Sequence, residues 1–379
     1  MKIKAFKFDF KKILTSIMGS SFGGTLLAIF VGLIFGLIVM LLANPVDAFY
    51  GFTEMIFGGF TRFPDVLYFA TPILMTGLSV GFAFKMGLFN IGASGQYTMG
   101  LFFALFVGFM MPMSAEIHWI VAVLAGFVGG MLMGAIPGIL KAFLNVNEVI
   151  SSIMLNYIGM FLIDMWIQGN STMYNPVMTR TRYLPKSVQL DTLGFAGSNL
   201  NTGLLIAVGV AILLFVVMEY TTFGYELKAT GYNKNASQYA GINYRRNTVL
   251  TMIISGGLAG LGGALFILAP SAIAGSSMTY EPINVIAANG FNGIAVALLG
   301  NSHPIGIVFS SIFVSHLQRG GTLANLVGYK VEIIDVVISV IIYFSAFALL
   351  LSQYIVKRIA SKKEDANKDI KPISEKEAK

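Results

Sequence analysis

The sequence predicts an all-α polytopic membrane protein with about 10 transmembrane helices and both termini in the cytoplasm. Three observations carry that reading. Of 379 residues, 56% are hydrophobic and only 11% are charged, less than half the roughly 25% charged fraction of soluble domains. No charged residue occurs between Lys12 and Asp47, Asp65 and Lys85, Lys85 and Glu116, Glu116 and Lys141, or Arg246 and Glu281. A helix needs about 20 apolar residues to cross roughly 30 Å of hydrocarbon, and these stretches supply them without the alternation of a β-barrel strand. The third observation is the placement of basic residues. With the N-terminus inside, Lys85, Lys141, Lys228, Lys234, Arg245, Arg246 and both basic termini fall on the cytoplasmic side. Only Arg62, Arg180, Arg182, Lys186, Arg319 and Lys330 stay outside, as the positive-inside rule requires.

The elements follow in order. Residues 1–21 open with MKIKAFKFDFKK. This resembles the start of a signal peptide, but the apolar run after it is too long and no small-residue cleavage site ends it. It reads as a cytoplasmic basic segment before a retained helix. The transmembrane domain is expected over 22–356, with spans at 22–43, 66–84, 90–111, 119–141, 149–168, 203–220, 248–269, 283–300, 304–320 and 333–356. The start of the third span is unusual for a lipid-facing helix, because Asn90, Ser94 and Gln96 lie among glycines. The pair 283–300 and 304–320 is divided by Gly300-Asn301-Ser302-His303-Pro304, a cluster that favours a break. The external loop, about 169–202, carries Asn175, Pro176, Arg180, Arg182 and Pro185; it reads as a solvated connector or a docking surface for an external partner. The cytoplasmic loop is about 221–247. Residues 357–379 are a mixed-charge tail that reads as disordered.

Several chemistries are excluded. The chain has no cysteine and three histidines, so a disulfide, a thiolate zinc site, a thiol nucleophile or a histidine-rich metal site is ruled out. No HExxH, GxSxG or Walker lysine loop occurs. Ionisable residues inside a span are functional candidates by default. Here they are Asp164, late in the fifth span, and Asp335, early in the tenth, both near interfaces and both readable as solvated helix ends. No carboxylate pair sits at mid-membrane, which argues against an intramembrane hydrolase and a proton- or sodium-coupled carrier. The sequence assigns no catalytic residue, no metal and no nucleic-acid partner, and it shows no energy source of its own.

Uncharged polar residues are more informative. Asn90 and Gln96 lie in GLFNIGASGQYTMG, Asn156 and Tyr157 in VISSIMLNYIG, and Asn289 and Asn292 in IAANGFNGIAVALLG. Amides donate and accept hydrogen bonds without the cost of burying a charge. They suit a pathway for a neutral, hydrogen-bonding solute, or hydrogen bonds between packed helices. Glycines around Asn90 to Gln96 permit an interrupted helix, the feature on which transporters often build substrate sites. Small-xxx-small pairs such as Gly126 with Gly130 and Gly256 with Gly260 indicate a packed bundle.

The loop 221–247 reads as a short amphipathic helix punctuated by Gly224, Gly231 and Gly241. Tyr225, Leu227, Tyr232 and Tyr239 offer an apolar face, with Glu226, Lys228 and Lys234 around it. Such a helix suits a partner that pushes on the bundle, or it rests on lipid headgroups.

These segments carry a family resemblance. GYELKATGYNKNASQYAGI resembles the coupling loop of ABC importer permeases through Gly224, Leu227, Lys228, Ala229, Gly231, Asn233, Ala236, Ala240, Gly241 and Ile242. GLFNIGASGQYTMG resembles the FNIGxEGQ signature of the nucleoside and simple-sugar branch of the branched-chain amino-acid/ribose-type permease superfamily. Gly87, Phe89, Asn90, Ile91, Gly92, Gly95 and Gln96 match, and Ser94 stands where the signature commonly has glutamate. VISSIMLNYIG and ANGFNGIAVALLG followed by NSHPIG are similar to two further stretches of that branch, with Asn292 in place of an aspartate. The resemblance covers about residues 60–355.

The resemblance implies the larger permease of an ATP-driven importer in a bacterial cytoplasmic membrane. The implied partners are an ABC ATPase, a second homologous permease subunit, an extracellular substrate-binding lipoprotein of the basic-membrane-protein type, and membrane lipid. ATP and Mg would bind the ATPase, and this chain would hold no cofactor. The implied mechanism is alternating access. Nucleosides are favoured over simple sugars such as ribose. Two other classes make different predictions. A secondary carrier would lose transport in Asp164→Asn, and a scaffold without transport would tolerate Asn90→Ala and Gln96→Ala.

Overall fold

The computed structural model describes residues 21–195, 197–273 and 276–346. The basic start, the tail 357–379 and the end of the tenth predicted span lie outside the described residues. The chain divides into two compact units, one holding residues up to Phe49 and from Tyr329 onward, the other Tyr50–Gly328.

In the first unit, α1 (Ser21–Ala43) packs against α13 (Val331–Ala346). Gly36 faces Val337 with no room for a β-carbon, and the Phe35 and Phe344 rings lie 4.8 Å apart. The Tyr329 hydroxyl donates to the Asn44 carbonyl at 2.6 Å, closing one of the carbonyls that a helix C-terminus leaves open.

The second unit contains all but the first two residues of α2 (Ala48–Thr61), then α3 (Phe63–Lys85), α4 (Ala93–Met110), α5 (Ala115–Leu144) and α6 (Glu148–Gln168). A two-residue hairpin follows, β1 (Tyr174–Asn175) with β2 (Arg180–Thr181). Next come α7 (Gly203–Tyr220), α8 (Thr222–Tyr232), α9 (Lys234–Tyr239), α10 (Tyr244–Ile267), α11 (Ala288–Leu299) and α12 (Pro304–Ala324). Among the described residues, α3, α4, α5, α6, α7 and α10 are long and apolar enough to cross a membrane.

Helix starts follow local chemistry. The side chains of Asn147, Thr221, Asn233 and Asn243 each accept from backbone N–H groups of the turn they open, the standard remedy for unpaired donors at a helix start. Pro64 and Pro304 sit in first turns, where a missing N–H costs nothing.

The centre of this unit is α10 against α5 and α4. A β-carbon on Gly130 would collide with the Gly256 carbonyl, one on Gly256 with the Gly130 carbonyl, and one on Gly100 with the Gly260 backbone. Absent side chains therefore let three helix backbones touch, the contact on which membrane helices rely where the lipid is as apolar as their surfaces.

Two expectations are corrected. The span predicted at 283–300 is helical only over Ala288–Leu299. Its 12 residues rise about 18 Å, too short to cross alone, because Ile283–Ala287 is non-helical lead-in. The stretch between the first two predicted spans, which carried no predicted element, contains α2. Its Gly58 and Gly59 press on Leu323 and His316 of α12.

Candidate substrate pathway and coupling surface

Segment Met86–Gly92 breaks the chain between α3 and α4. Its polar residue, Asn90, is completely buried. Asn90 Nδ2 donates to Gln96 Oε1 at 2.7 Å and to Ser255 Oγ at 2.7 Å. Gln96 Nε2 returns a bond to Asn90 Oδ1 at 3.1 Å. The Ser79 and Ser255 hydroxyls lie 3.0 Å apart, and Ser255 Oγ donates to the Ser79 carbonyl at 2.8 Å. One amide of the break thus ties α3, α4 and α10 together. Each such bond contributes about 1 kcal/mol net, whereas a buried group left unpaired costs about 1–3 kcal/mol.

Asn156 on α6 braces the same break. Its Oδ1 accepts from the Gly95 N–H at 2.8 Å and its Nδ2 donates to the Ile91 carbonyl at 3.0 Å. The adjacent Tyr157 is 51% exposed on the flank of α6 and is not part of this cluster.

The start of α11 meets the start of α4. Ser94 Oγ donates to the Ala287 carbonyl at 3.0 Å, and Gly290 lies so close to Ser94 that a β-carbon would collide. Thr76 Oγ1 on α3 donates to the Asn289 carbonyl at 2.8 Å. Asn289 Nδ2 donates to the Tyr97 hydroxyl at 3.1 Å. Asn292, one turn further, is half-buried. Two helix N-termini therefore converge beside half-buried amides, in a fold where the first-turn N–H groups of each helix lack intrahelical partners.

Sequence reasoning singled out the amides but not Ser79, Thr76 or Ser255. Their only signal is a hydroxyl inside an apolar helix, and most such residues bond within their own turn, as Ser310 does to the Gly306 carbonyl. The reading of Asp164 as a solvated helix end is corrected, since it is buried and hydrogen-bonded. Asp335 is exposed in the first turns of α13.

The loop 221–247 holds two helices rather than the single helix expected. Asn233 is extended between α8 and α9 and caps the second. Leu227 turns inward and is buried, so it anchors α8 rather than joining the exposed apolar face. Lys228 Nζ pairs with Glu219 of α7 at 3.0 Å. Glu226 Oε2 accepts from Asn247 Nδ2 on α10 at 2.8 Å. Gly224 abuts the Val217 and Met218 backbone, and Gly231 abuts the Lys85 carbonyl at the end of α3. Gly241 has φ +84°, a backbone conformation glycine adopts without steric cost. Tyr232 and Tyr239 are 92% and 94% exposed. Ala229, Asn233, Ala236, Ala240 and Ile242 line a cleft of about 640 Å³ between the two helices. The outcome is a short helix, α8, seated on the bundle, with α9 beside it across an open, tyrosine-rimmed groove.

Residues 62–346 match the family described as branched-chain amino acid transport system, permease component. The chain belongs to this family. It is 35% identical over 354 residues, 90% of this chain and 95% of the relative, to the nucleoside ABC transporter permease protein NupB of Lactococcus lactis subsp. cremoris. It is 34% identical to the guanosine ABC transporter permease protein NupP of Bacillus subtilis, covering 90% of this chain and 97% of that one. A third relative is the glucose ABC transporter permease protein TsgB13 of Haloferax volcanii, at 28% identity over 84% of each chain. No solved structure matches. The chain is a transport component and not an enzyme, and a multi-pass protein of a bacterial cytoplasmic membrane.

Proposed function

We propose that this chain is the membrane-spanning permease of an ABC importer for nucleosides. The observation that carries the substrate class is its 35% and 34% identity, nearly end to end, to permeases named for nucleosides and for guanosine. The chain crosses the membrane about ten times with both ends in the cytoplasm, α11 crossing together with its non-helical lead-in Ile283–Ala287, in keeping with its basic residues. An ABC ATPase, which binds ATP and Mg, docks in the groove between α8 and α9. A second homologous permease and an extracellular binding lipoprotein complete the importer.

In this reading Asn289 and Asn292 contact the solute, while Asn90, Gln96 and Asn156 hold the break beside it. Tyr157 lies on the flank of α6, where the second permease or lipid packs. ATP binding draws the ATPases together. Motion of α8, seated on α3 through Gly231, shifts the 86–92 break and the α4 N-terminus, and exposes the amides to the outer side. Hydrolysis returns them. The ligand can drive such a cycle only through different affinities for the two states.

The test is uptake of labelled guanosine by cells with and without this chain, with excess adenosine, uridine, ribose or glucose as competitor, in a strain lacking other nucleoside carriers. Loss of uptake on deletion, and competition by nucleosides alone, is the expected result. Unchanged guanosine uptake, with loss of sugar uptake, moves the substrate to the class named for the Haloferax relative.

A further inference from the structure

We infer that Asp164 is a positioning residue: a pin between α6 and the segment leading into α11, which sets where Asn289 and Asn292 stand. This rests on the import reading above for its functional consequence, though not for its geometry.

Asp164 lies one turn before the end of α6 and is 1% exposed. Its Oδ1 accepts from the Tyr280 hydroxyl at 2.7 Å, and its Oδ2 accepts from the Asn284 N–H at 2.7 Å. Four residues further along α6, on the same face, Gln168 Nε2 donates to the Pro282 carbonyl at 2.6 Å. One face of α6 therefore grips residues 280–284 at three points. Only Val285, Ile286 and Ala287 separate Asn284 from the first residue of α11, so the chain between pin and helix reaches at most about 14 Å. Asn284 has φ +57°, a left-handed conformation that asparagine adopts more readily than most residues with a β-carbon. Its N–H is held by the carboxylate in that conformation.

Tyr280 is also the junction with the outer hairpin. The Thr181 N–H donates to the Tyr280 carbonyl at 2.8 Å, and the Tyr280 N–H to Thr181 Oγ1 at 3.0 Å. Nearby, the Leu184 N–H donates to Ser277 Oγ at 2.9 Å. The two external segments are thus stitched together, and Asp164 fastens both to α6. Burial, and then the carboxylate beside it, push the Tyr280 phenol well above its ordinary range, so it donates throughout the pH range of living cells.

A buried carboxylate is costly unless it is paired or fully hydrogen-bonded. Among the described residues, both ion pairs lie elsewhere, at Lys141–Glu148 and Lys228–Glu219. Each oxygen of Asp164 instead accepts one bond, from one side chain and one backbone group of a single connecting segment. A solvated helix end needs neither.

The test uses the intact importer in cells and compares Tyr280→Phe, Asp164→Asn and the double variant. At wild-type membrane abundance, each single change should raise the guanosine concentration for half-maximal uptake about three- to tenfold, with a smaller change in maximal rate. The double variant should cost less than the sum of the two single changes, because asparagine keeps one acceptor for either Tyr280 or Asn284 and the two changes act on one network, and the pH profile should stay as in the wild type. Abolished uptake in Asp164→Asn beside normal uptake in Tyr280→Phe would mean that the carboxylate acts alone, and would overturn the pin. A fall in abundance and maximal rate with unchanged half-saturation would reduce it to a packing role and overturn it equally.

A second readout needs no substrate. The chain has no cysteine, so Ala287→Cys gives a single, half-buried label site. Maleimide modification there should run several-fold faster when Tyr280→Phe is added, and an unchanged rate would sink the pin. Faster labelling in a chain that imports no guanosine even without Tyr280→Phe would uphold the pin while discarding the nucleoside reading.

Discussion

Asn90 spends its amide on four hydrogen bonds to three partners at once, and Asn292 spends its amide on none of the described residues. The two asparagines look alike in the sequence and have opposite consequences. Asn90→Ala should leave Gln96, Ser79 and Ser255 short of partners inside the bundle. We expect a loss of about 2–4 kcal/mol of stability, measured as lower membrane abundance and a lower melting temperature in detergent, with uptake falling in proportion. Asn292→Ala should leave melting unchanged and weaken uptake through half-saturation, by about tenfold for one lost hydrogen bond to substrate. Equal melting losses in the two variants would contradict this division. The sequence marked both residues as amides in apolar surroundings. It could not separate them, because a side-chain amide serves a ligand or a neighbouring helix with the same atoms.

At the scale of elements, α8 and α9 make the clearest case. The glycine punctuation of 221–247 was legible, as was its short amphipathic character. The division into two helices was not, since it depends on Asn233 leaving the helix and capping the next one, a choice that local propensity leaves open. The structure also separates the two glycines that the resemblance ranked together. Gly231 has the Lys85 carbonyl against it, while nothing approaches Gly241. Gly231→Val should therefore lift α8 off α3, leaving ATP hydrolysis running while uptake falls at least tenfold. Gly241→Ala meets only the cost of positive φ, about 1 kcal/mol, and should retain most uptake. Parallel measurement of hydrolysis and uptake in reconstituted importer checks both, and equal uncoupling by the two would refute the assigned seat of α8.

For the whole molecule, the decisive contact is the glycine seam of α5 with α10. Gly256→Leu should force the two backbones apart by more than an ångström and cost at least the 1–3 kcal/mol of core overpacking. Thermal unfolding in detergent, with Gly209→Leu as the control at a glycine of α7 with open space around it, gives the comparison. A Gly256→Leu protein as stable as that control would show that the seam contributes little.

What the sequence determined by itself was the membrane class, the positions of the six long apolar helices and the family. These follow from long charge-free runs, basic asymmetry and a few contiguous motifs, all of which are local along the chain. The tertiary structure alone decided that α11 is a half-length helix butted against α4, that Leu227 is an anchor, that Gly126, Gly130, Gly256 and Gly260 lie in one seam, and that Asp164 is a buried pin. Each of these joins residues far apart in the chain, Asp164 to Tyr280 or Asn90 to Ser255. Hydropathy cannot see such pairings, because it records how apolar a segment is and not which face of it meets which partner.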